Sequence, residues 1–212
     1  MGIVYDRARM SQTPVRLVAT SSQTVGPFFH FGLADNATLG RLVRDDTRGE
    51  RIRLRIAVFD GDGAPVPDAL VELWQADADG LYVRPEDPTN VLAPAGFCGF
   101  GRLPTGTDGA CVFETIRPGA VRDAQGRPQA PHINVCLLAR GLLRQLYTRI
   151  YFEGDPALES DAVLALVPEE RRQTLIAKQE SRPTFLARPG GRGEWVFDVR
   201  LQGDAETVFF DL

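Results

Sequence analysis

The sequence predicts an all-β domain of sandwich or barrel type, with an extended N-terminal arm and one short helix. Three observations predict it. The clearest periodic segment alternates strictly every two residues. Short apolar runs recur between turn residues. Only one stretch carries convincing helix signals.

The alternation is Arg51, Arg53 and Arg55 interleaved with Ile52, Leu54 and Ile56, which buries one strand face and wets the other. Before it, Met1 to Gly49 shows little periodicity and is expected to be an arm, with a turn at Gly26-Pro27 and an aromatic cluster of Phe28, Phe29 and Phe31. After it, Asp60-Gly61-Asp62-Gly63 has turn chemistry, and Leu70 to Trp74 is a second strand. Tyr82 to Gly101 is rich in Pro and Gly and is expected to be a long loop. Asp108-Gly109 is a turn leading into a strand from Cys111 to Ile116, which Arg117-Pro118-Gly119 ends. Ile133 to Leu138 and Gln145 to Phe152 are strands split by Arg140-Gly141. The helix begins at Pro168, with Glu169 and Glu170 in its first turn, where acids favour the helix N-terminus. Trp195 to Leu201 and Thr207 to Phe210 are the last strands. A parallel α/β fold would need a helix between most strands, and only one is found.

Composition narrows the function. The 212 residues suffice for one domain with a sizeable core. A net charge of -4 gives no reason to expect nucleic acid or an anionic membrane as partner. No apolar run approaches the roughly 18 residues of a membrane helix. Met1 to Arg9 is polar and lacks the apolar stretch of a secretion signal, so a cytoplasmic location is expected. The cysteines, Cys98, Cys111 and Cys136, form no CxxC pair, which argues against structural zinc and a disulfide framework. With His30 and His132 as the only histidines, this chain alone does not build a multi-histidine metal site.

No nucleophile elbow, phosphate-binding glycine loop or His-Glu-x-x-His is present. Cys136 lies four residues from His132 on one predicted strand, so the two share a face. A thiolate–imidazole pair is one reading; a small apolar core cysteine is the better one. His132 shares that face with Asn134 and reads as a hydrogen-bonded core histidine. Tyr82 reads as an amphipathic loop anchor.

Several segments, in order and spacing, resemble the intradiol ring-cleavage dioxygenases. They are Gln23-Thr24-Val25-Gly26-Pro27-Phe28, Val71-Glu72-Leu73-Trp74-Gln75-Ala76-Asp77, Ile116-Arg117-Pro118-Gly119, Ala130-Pro131-His132-Ile133-Asn134 and Arg149-Ile150-Tyr151-Phe152. The stretches Glu169 to Ala177 and Glu206 to Asp211 resemble the alpha chains of two-chain members of that family. Catalytic chains of the family hold Fe(III) with two tyrosinates and two histidines, the histidines as His-x-His on one strand. Phenolates favour the ferric state, and imidazoles complete the shell.

Carried onto this sequence, the four positions fall at Tyr82, Val121, His132 and Asn134. Val121 has no donor atom, and the Asn134 amide is a poor replacement for imidazole. The resemblance therefore implies a chain with no catalytic or metal-ligating residues of its own. Its homologous beta partner holds the Fe(III), and alpha–beta units repeat in a larger oligomer. It further implies that an arm over 1–48 contributes to subunit contact and that 49–212 form the β-domain. The substrate-cavity residues it implies are Thr24, Gly26, Pro27, Phe28 and Arg140, with Arg140 opposite the carboxylate of protocatechuate. The reaction implied is insertion of both atoms of O₂ between the two hydroxylated carbons, giving 3-carboxy-cis,cis-muconate. Two rival readings are a transthyretin-like binding module with no dioxygenase role and a catechol dioxygenase that works alone. Co-purification of an iron-containing partner separates the first, and a metal assay of the isolated chain the second.

Overall fold

The computed structural model describes residues 18–26, 28–82, 97–180 and 193–211, and structural statements below concern these. The alternating segment is strand β1 (Arg51–Phe59), whose Ile52, Leu54, Ile56 and Val58 are fully buried while the arginines stay partly or fully exposed. Its buried face defines the interior of the molecule. The turn after it forms as expected: the Asp60 carboxylate accepts from the backbone N–H groups of Asp62 and Ala64. Strands β2 (Leu70–Gln75), β3 (Phe100–Pro104), β4 (Ala110–Ile116), β5 (Val121–Arg122), β6 (Pro128–Gln129), β7 (His132–Leu138), β8 (Leu146–Phe152), β9 (Ile176–Gln179) and β10 (Gly193–Arg200) follow. Eight of them make one sheet in the order β3-β2-β7-β8-β9-β10-β1-β4, and β5 pairs with β6 separately.

The sheet curls into a nearly closed barrel. Parallel pairing of β1 with β10 places Leu54 beside Trp195, and antiparallel pairing with β4 places it beside Phe113. Alternation along β7 and β8 sends Ile133, Val135, Ile150 and Phe152 into the interior, and Tyr151 to the opposite face. There Tyr151 packs with Ala130, Leu164, Val167 and Leu175 in a second, smaller core. The gap between β3 and β4 is spanned by a strap ending in residues 40–43. Leu42 N–H donates to Glu114 O at 2.9 Å, and Cys98 N–H donates to Leu42 O at 2.9 Å. Both edges of the sheet are thereby covered, which removes templates for edge-to-edge aggregation.

Several expectations need correcting. The segment expected to be loop as far as Gly101 runs into the start of β3, at Phe100 and Gly101, and residues 83–96 lie outside the described residues. The glycine that suggested a loop serves the strap instead. A Cβ at Gly101 would lie 2.9 Å from Leu39 O and 2.6 Å from the Leu42 side chain, so only glycine lets the strap pass. The segment after Pro168 is a 3-10 helix (Glu169–Leu175) with Pro168 as its cap, followed directly by β9. The arm contains the one α-helix described, α1 (Phe28–Leu33), started by Phe29 N–H donating to Gly26 O at 3.1 Å. Thr207 to Phe210 form no strand; Phe210 makes a single bridge to Tyr147. No described helix is long and apolar enough to cross a membrane.

Candidate functional site

Tyr82 is placed by a turn built on Asp77. The Asp77 carboxylate accepts from the N–H groups of Asp79 and Leu81, both at 2.9 Å, and its carbonyl accepts from Gly80 and Gly119 at 3.1 and 2.8 Å. The two glycines touch. Gly80 has φ +79°, and a Cβ there would sit 2.1 Å from Ala120 O. This close approach, needing glycine on both sides, fixes the Tyr82 loop against the segment leading to Val121.

His132 and Asn134 project from the same face of β7 toward Tyr82. The Tyr82 hydroxyl lies 3.3 Å from His132 Nε2 and accepts from Asn134 Nδ2 at 3.0 Å. His132 Nδ1 lies 2.8 Å from Ala130 O. A carbonyl only accepts, so Nδ1 carries the proton and Nε2 accepts from Tyr82. Asn134 Nδ2 also donates to Trp74 O at 3.3 Å. Behind Ala130 stands Asp161, fully buried and fully partnered. It accepts from Ala130 N–H at 2.7 Å, Tyr151 O–H at 3.0 Å, and the N–H groups of Val163 and Leu164 at 2.9 and 2.7 Å.

The electrostatics follow from this burial. His132 is 2% exposed, and burial, reinforced by the Arg149 charge, pushes its pKa down to about 4. Burial raises the Tyr82 phenol, opposed by the Asn134 hydrogen bond and by Arg149. Both groups are therefore neutral at physiological pH, consistent with a hydrogen-bonded relay. Cys136 is half-buried rather than core, and burial raises its thiol to about 11, the opposite of what a nucleophile needs. With His132 Nε2 engaged by Tyr82, no Cys136–His132 nucleophile pair exists.

These residues do not fit Fe(III). Val121 is a buried valine in β5 without a donor, and Asn134 presents its amide N–H₂, not a lone pair, to Tyr82. The remaining donors, Tyr82 and His132, are spent on each other. Among the described residues no group of three or more His, Cys, Asp or Glu is arranged to hold a metal. Sequence reasoning missed two residues here. Arg149 is the cross-strand partner of Asn134, and its Nη1 donates to Gln129 Oε1 at 2.9 Å; Gln129 is in turn the partner of Val121. The hairpin register across Arg140-Gly141 was the signal that could have placed Arg149 on this face.

The arm residues form a second group. Gly141 N–H donates to Thr24 Oγ1 at 2.8 Å, so the structure joins Thr24 to the Arg140-Gly141 turn across 117 positions of sequence. Arg140 is exposed, and Gly141 takes φ +90°. A Cβ on Gly26 would meet nothing within 4 Å, so packing within this chain does not demand that glycine. Pro27 and the Phe28 side chain lie outside the described residues. Asn134 and Arg140 sit near opposite ends of β7, about 20 Å apart at roughly 3.3 Å per extended residue. Arg140 therefore does not serve the Tyr82 cluster of its own chain.

A nearly closed β-barrel with this set of positions defines an intradiol-type dioxygenase fold, and comparison bears this out. The family model described as "Dioxygenase" matches residues 24–203, and the chain belongs to the intradiol dioxygenase family, whose members depend on iron. It is 42% identical over 207 residues to the protocatechuate 3,4-dioxygenase alpha chain of Burkholderia cepacia, covering 92% of this chain and 98% of that one. With the Pseudomonas putida alpha chain it shares 41% over 211 residues, covering 93% and 99%. With the Burkholderia cepacia beta chain the figure is 32% over 206 residues, covering 95% and 82%. Among solved structures, catechol 1,2-dioxygenase from Acinetobacter matches with a TM-score of 0.59 at 27% identity, over 76% of this chain and 55% of that one. These matches disfavour the transthyretin-like binding module.

Proposed function

We propose that this chain acts as the alpha subunit of a protocatechuate 3,4-dioxygenase, in repeated units with a homologous beta chain that holds the Fe(III). The observation that carries the reading is a family fold in which two of the four ligand positions hold Val121, with no donor atom, and Asn134, whose amide N–H₂ faces Tyr82. The pair would cleave protocatechuate between its hydroxylated carbons with O₂, yielding 3-carboxy-cis,cis-muconate, in the cytoplasm. The alpha chain's part is positional. Residues 1–48 contribute to subunit contact, and Thr24, Gly26, Pro27, Phe28 and Arg140 line the cavity at the partner's iron.

The Thr24–Gly141 hydrogen bond supports this, because it holds the arm against the turn bearing Arg140. The free space around Gly26 supports it too, since it leaves room for a partner or substrate to approach the backbone. The test is co-expression with a homologous chain carrying both tyrosines and His-x-His. The complex is expected to consume O₂ stoichiometrically with protocatechuate, and neither chain alone should match it. Full activity of the beta chain alone, or stoichiometric iron in this one, overturns the reading.

A further inference from the structure

The arm is fastened to the barrel on both sides of the residues assigned to the cavity. On one side Gly141 N–H donates to Thr24 Oγ1 at 2.8 Å. On the other, His30 Nδ1 lies 2.6 Å from Asp68 Oδ1, and a carboxylate only accepts, so the ring donates. The two fastenings belong to neighbouring strands. Leu70 of β2 pairs with Leu138 of β7, so Asp68, just before β2, and Gly141, just after β7, lie at the same end of the barrel. Gly26, Pro27 and Phe28 are carried on the span between them. Phe29 N–H donates to Gly26 O at 3.1 Å and Ala34 N–H to His30 O at 2.8 Å, which ties that span to α1. Asp68 itself stands on a firm base. Its N–H donates to Thr105 O at 3.0 Å, and Ala69 N–H donates to the Thr105 hydroxyl at 2.9 Å, with Thr105 buried. At φ +62° it is the one non-glycine residue with a left-handed backbone among the described residues. Glycine would take that conformation without steric cost, so an aspartate there points to a use for its side chain.

We propose that Asp68 is a positioning residue for the substrate: through His30 it fixes α1, and so sets the span from Thr24 to Phe28 on the barrel end that carries Arg140. This rests on the reading of the arm as part of the cavity wall at the partner's iron. Asp68 acts through His30 and the backbone, not on the substrate itself. A span fastened at both ends presents Thr24 and Gly26 in one arrangement, so binding does not have to order them. The same arrangement serves bound substrate and transition state, so its loss shows in KM rather than in kcat. His30 and Asp68 are each about half exposed, and an exposed pair of this kind shifts an equilibrium by no more than about fivefold.

The test uses the assembled enzyme, with this chain as wild type, Asp68→Gly, Asp68→Asn, His30→Ala and the double variant Asp68→Gly/His30→Ala. Glycine and asparagine both accept a left-handed backbone, so the turn survives, and asparagine also keeps an acceptor oxygen. KM and kcat for protocatechuate, iron per complex and backbone amide exchange over residues 18–34 are measured. Asp68→Gly and His30→Ala should each raise KM about twofold to fivefold and speed exchange over residues 28–34, with kcat and iron unchanged. The double variant should lose no more than the worse single one, because both remove the same contact. Asp68→Asn should lose less than Asp68→Gly. An unchanged KM in Asp68→Gly overturns the proposal, as do losses that add in the double variant. Faster exchange confined to residues 66–70, with the arm unmoved, overturns it too, by making Asp68 a turn residue only. A wild-type complex that does not turn over protocatechuate would instead overturn the proposed function, and the exchange comparison would still test the fastening.

Discussion

Arg140 stands in the solvent on a glycine turn, with Thr24 clipped to its neighbour. A charged hydrogen bond from it to the carboxylate of protocatechuate would be made in bound substrate and transition state alike, which lowers KM without changing kcat. Such bonds contribute roughly 1.5–3 kcal/mol, and about 1.4 kcal/mol is tenfold. Arg140→Ala in the assembled enzyme is therefore expected to raise KM for protocatechuate about tenfold to a hundredfold, and to leave plain catechol nearly unaffected. Steady-state assays with both substrates check this; equal losses on both would assign Arg140 to the interface instead. His132 gives a second prediction. Burial, and after it the Arg149 charge, lowers its pKa from 6.5 to about 4 on folding, against the Ala130 hydrogen bond and Asp161. Below pH 6.5 the unfolded chain takes up the proton first, so stability is lost as pH falls from 6.5 toward 4. The slope integrates to roughly 3 kcal/mol at most. His132→Gln should flatten that part of the pH–stability curve, read from denaturant midpoints. At this scale the sequence was legible where chemistry changed: Val121 and Asn134 declare a broken ligand set. Arg149 was not legible, because its meaning depends on which residue lies across the hairpin.

Among the elements, Gln75 makes a buried polar link between β2 and β4. Its position on β2 puts it inside the barrel, fully buried, where it spans to β4. Gln75 Nε2 donates to Ile116 O at 3.0 Å, and Thr115 O–H donates to Gln75 Oε1 at 2.6 Å. Gln75→Leu would strand both partners without water, costing about 2–6 kcal/mol at roughly 1–3 kcal/mol for each unmade buried bond. A denaturant melt checks it, and an unchanged midpoint would show that the core relaxes around the change. Strands with one wet face were legible in the sequence; β1, β4 and β7 follow their alternation nearly residue for residue. β3 and β9 were not, since a glycine chosen for close packing resembles a loop glycine and β9 runs straight on from a 3-10 helix. The Ile116-Arg117-Pro118-Gly119 stretch also has a structural meaning that its letters hide. Arg117 ion-pairs with Asp155 at 2.7 Å and lies over the Phe152 and Trp195 rings, at 5.2 and 5.7 Å, pinning the end of β4 to β8 and β10.

At the scale of the whole molecule, several large apolar side chains stand in solvent. Phe31 is 73% exposed, Leu81 65% and Leu166 82%, and Trp74 stands half-exposed beside the Tyr82 cluster. Expressed without its partner, the chain is expected to self-associate and to be colourless and iron-poor. Sedimentation and a visible spectrum check both; a monodisperse monomer would contradict the first, and a tyrosinate–iron band the second. The all-β class and barrel-like sheet were legible from strand spacing, but the closure was not, because it depends on a strap with no periodicity of its own. The strand order sets how the protein can be born. β10 lies between β9 and β1, so until residues 193–200 are made the two halves of the sheet lack the strand that joins them. At about 5–20 residues per second, a ribosome takes roughly 10–40 s to make the chain. β1 is made early and waits with an open edge through most of synthesis, whereas β9 is made shortly before β10. The barrel can close only once β10 is available, so closure is a late step slowed by its long-range pairing.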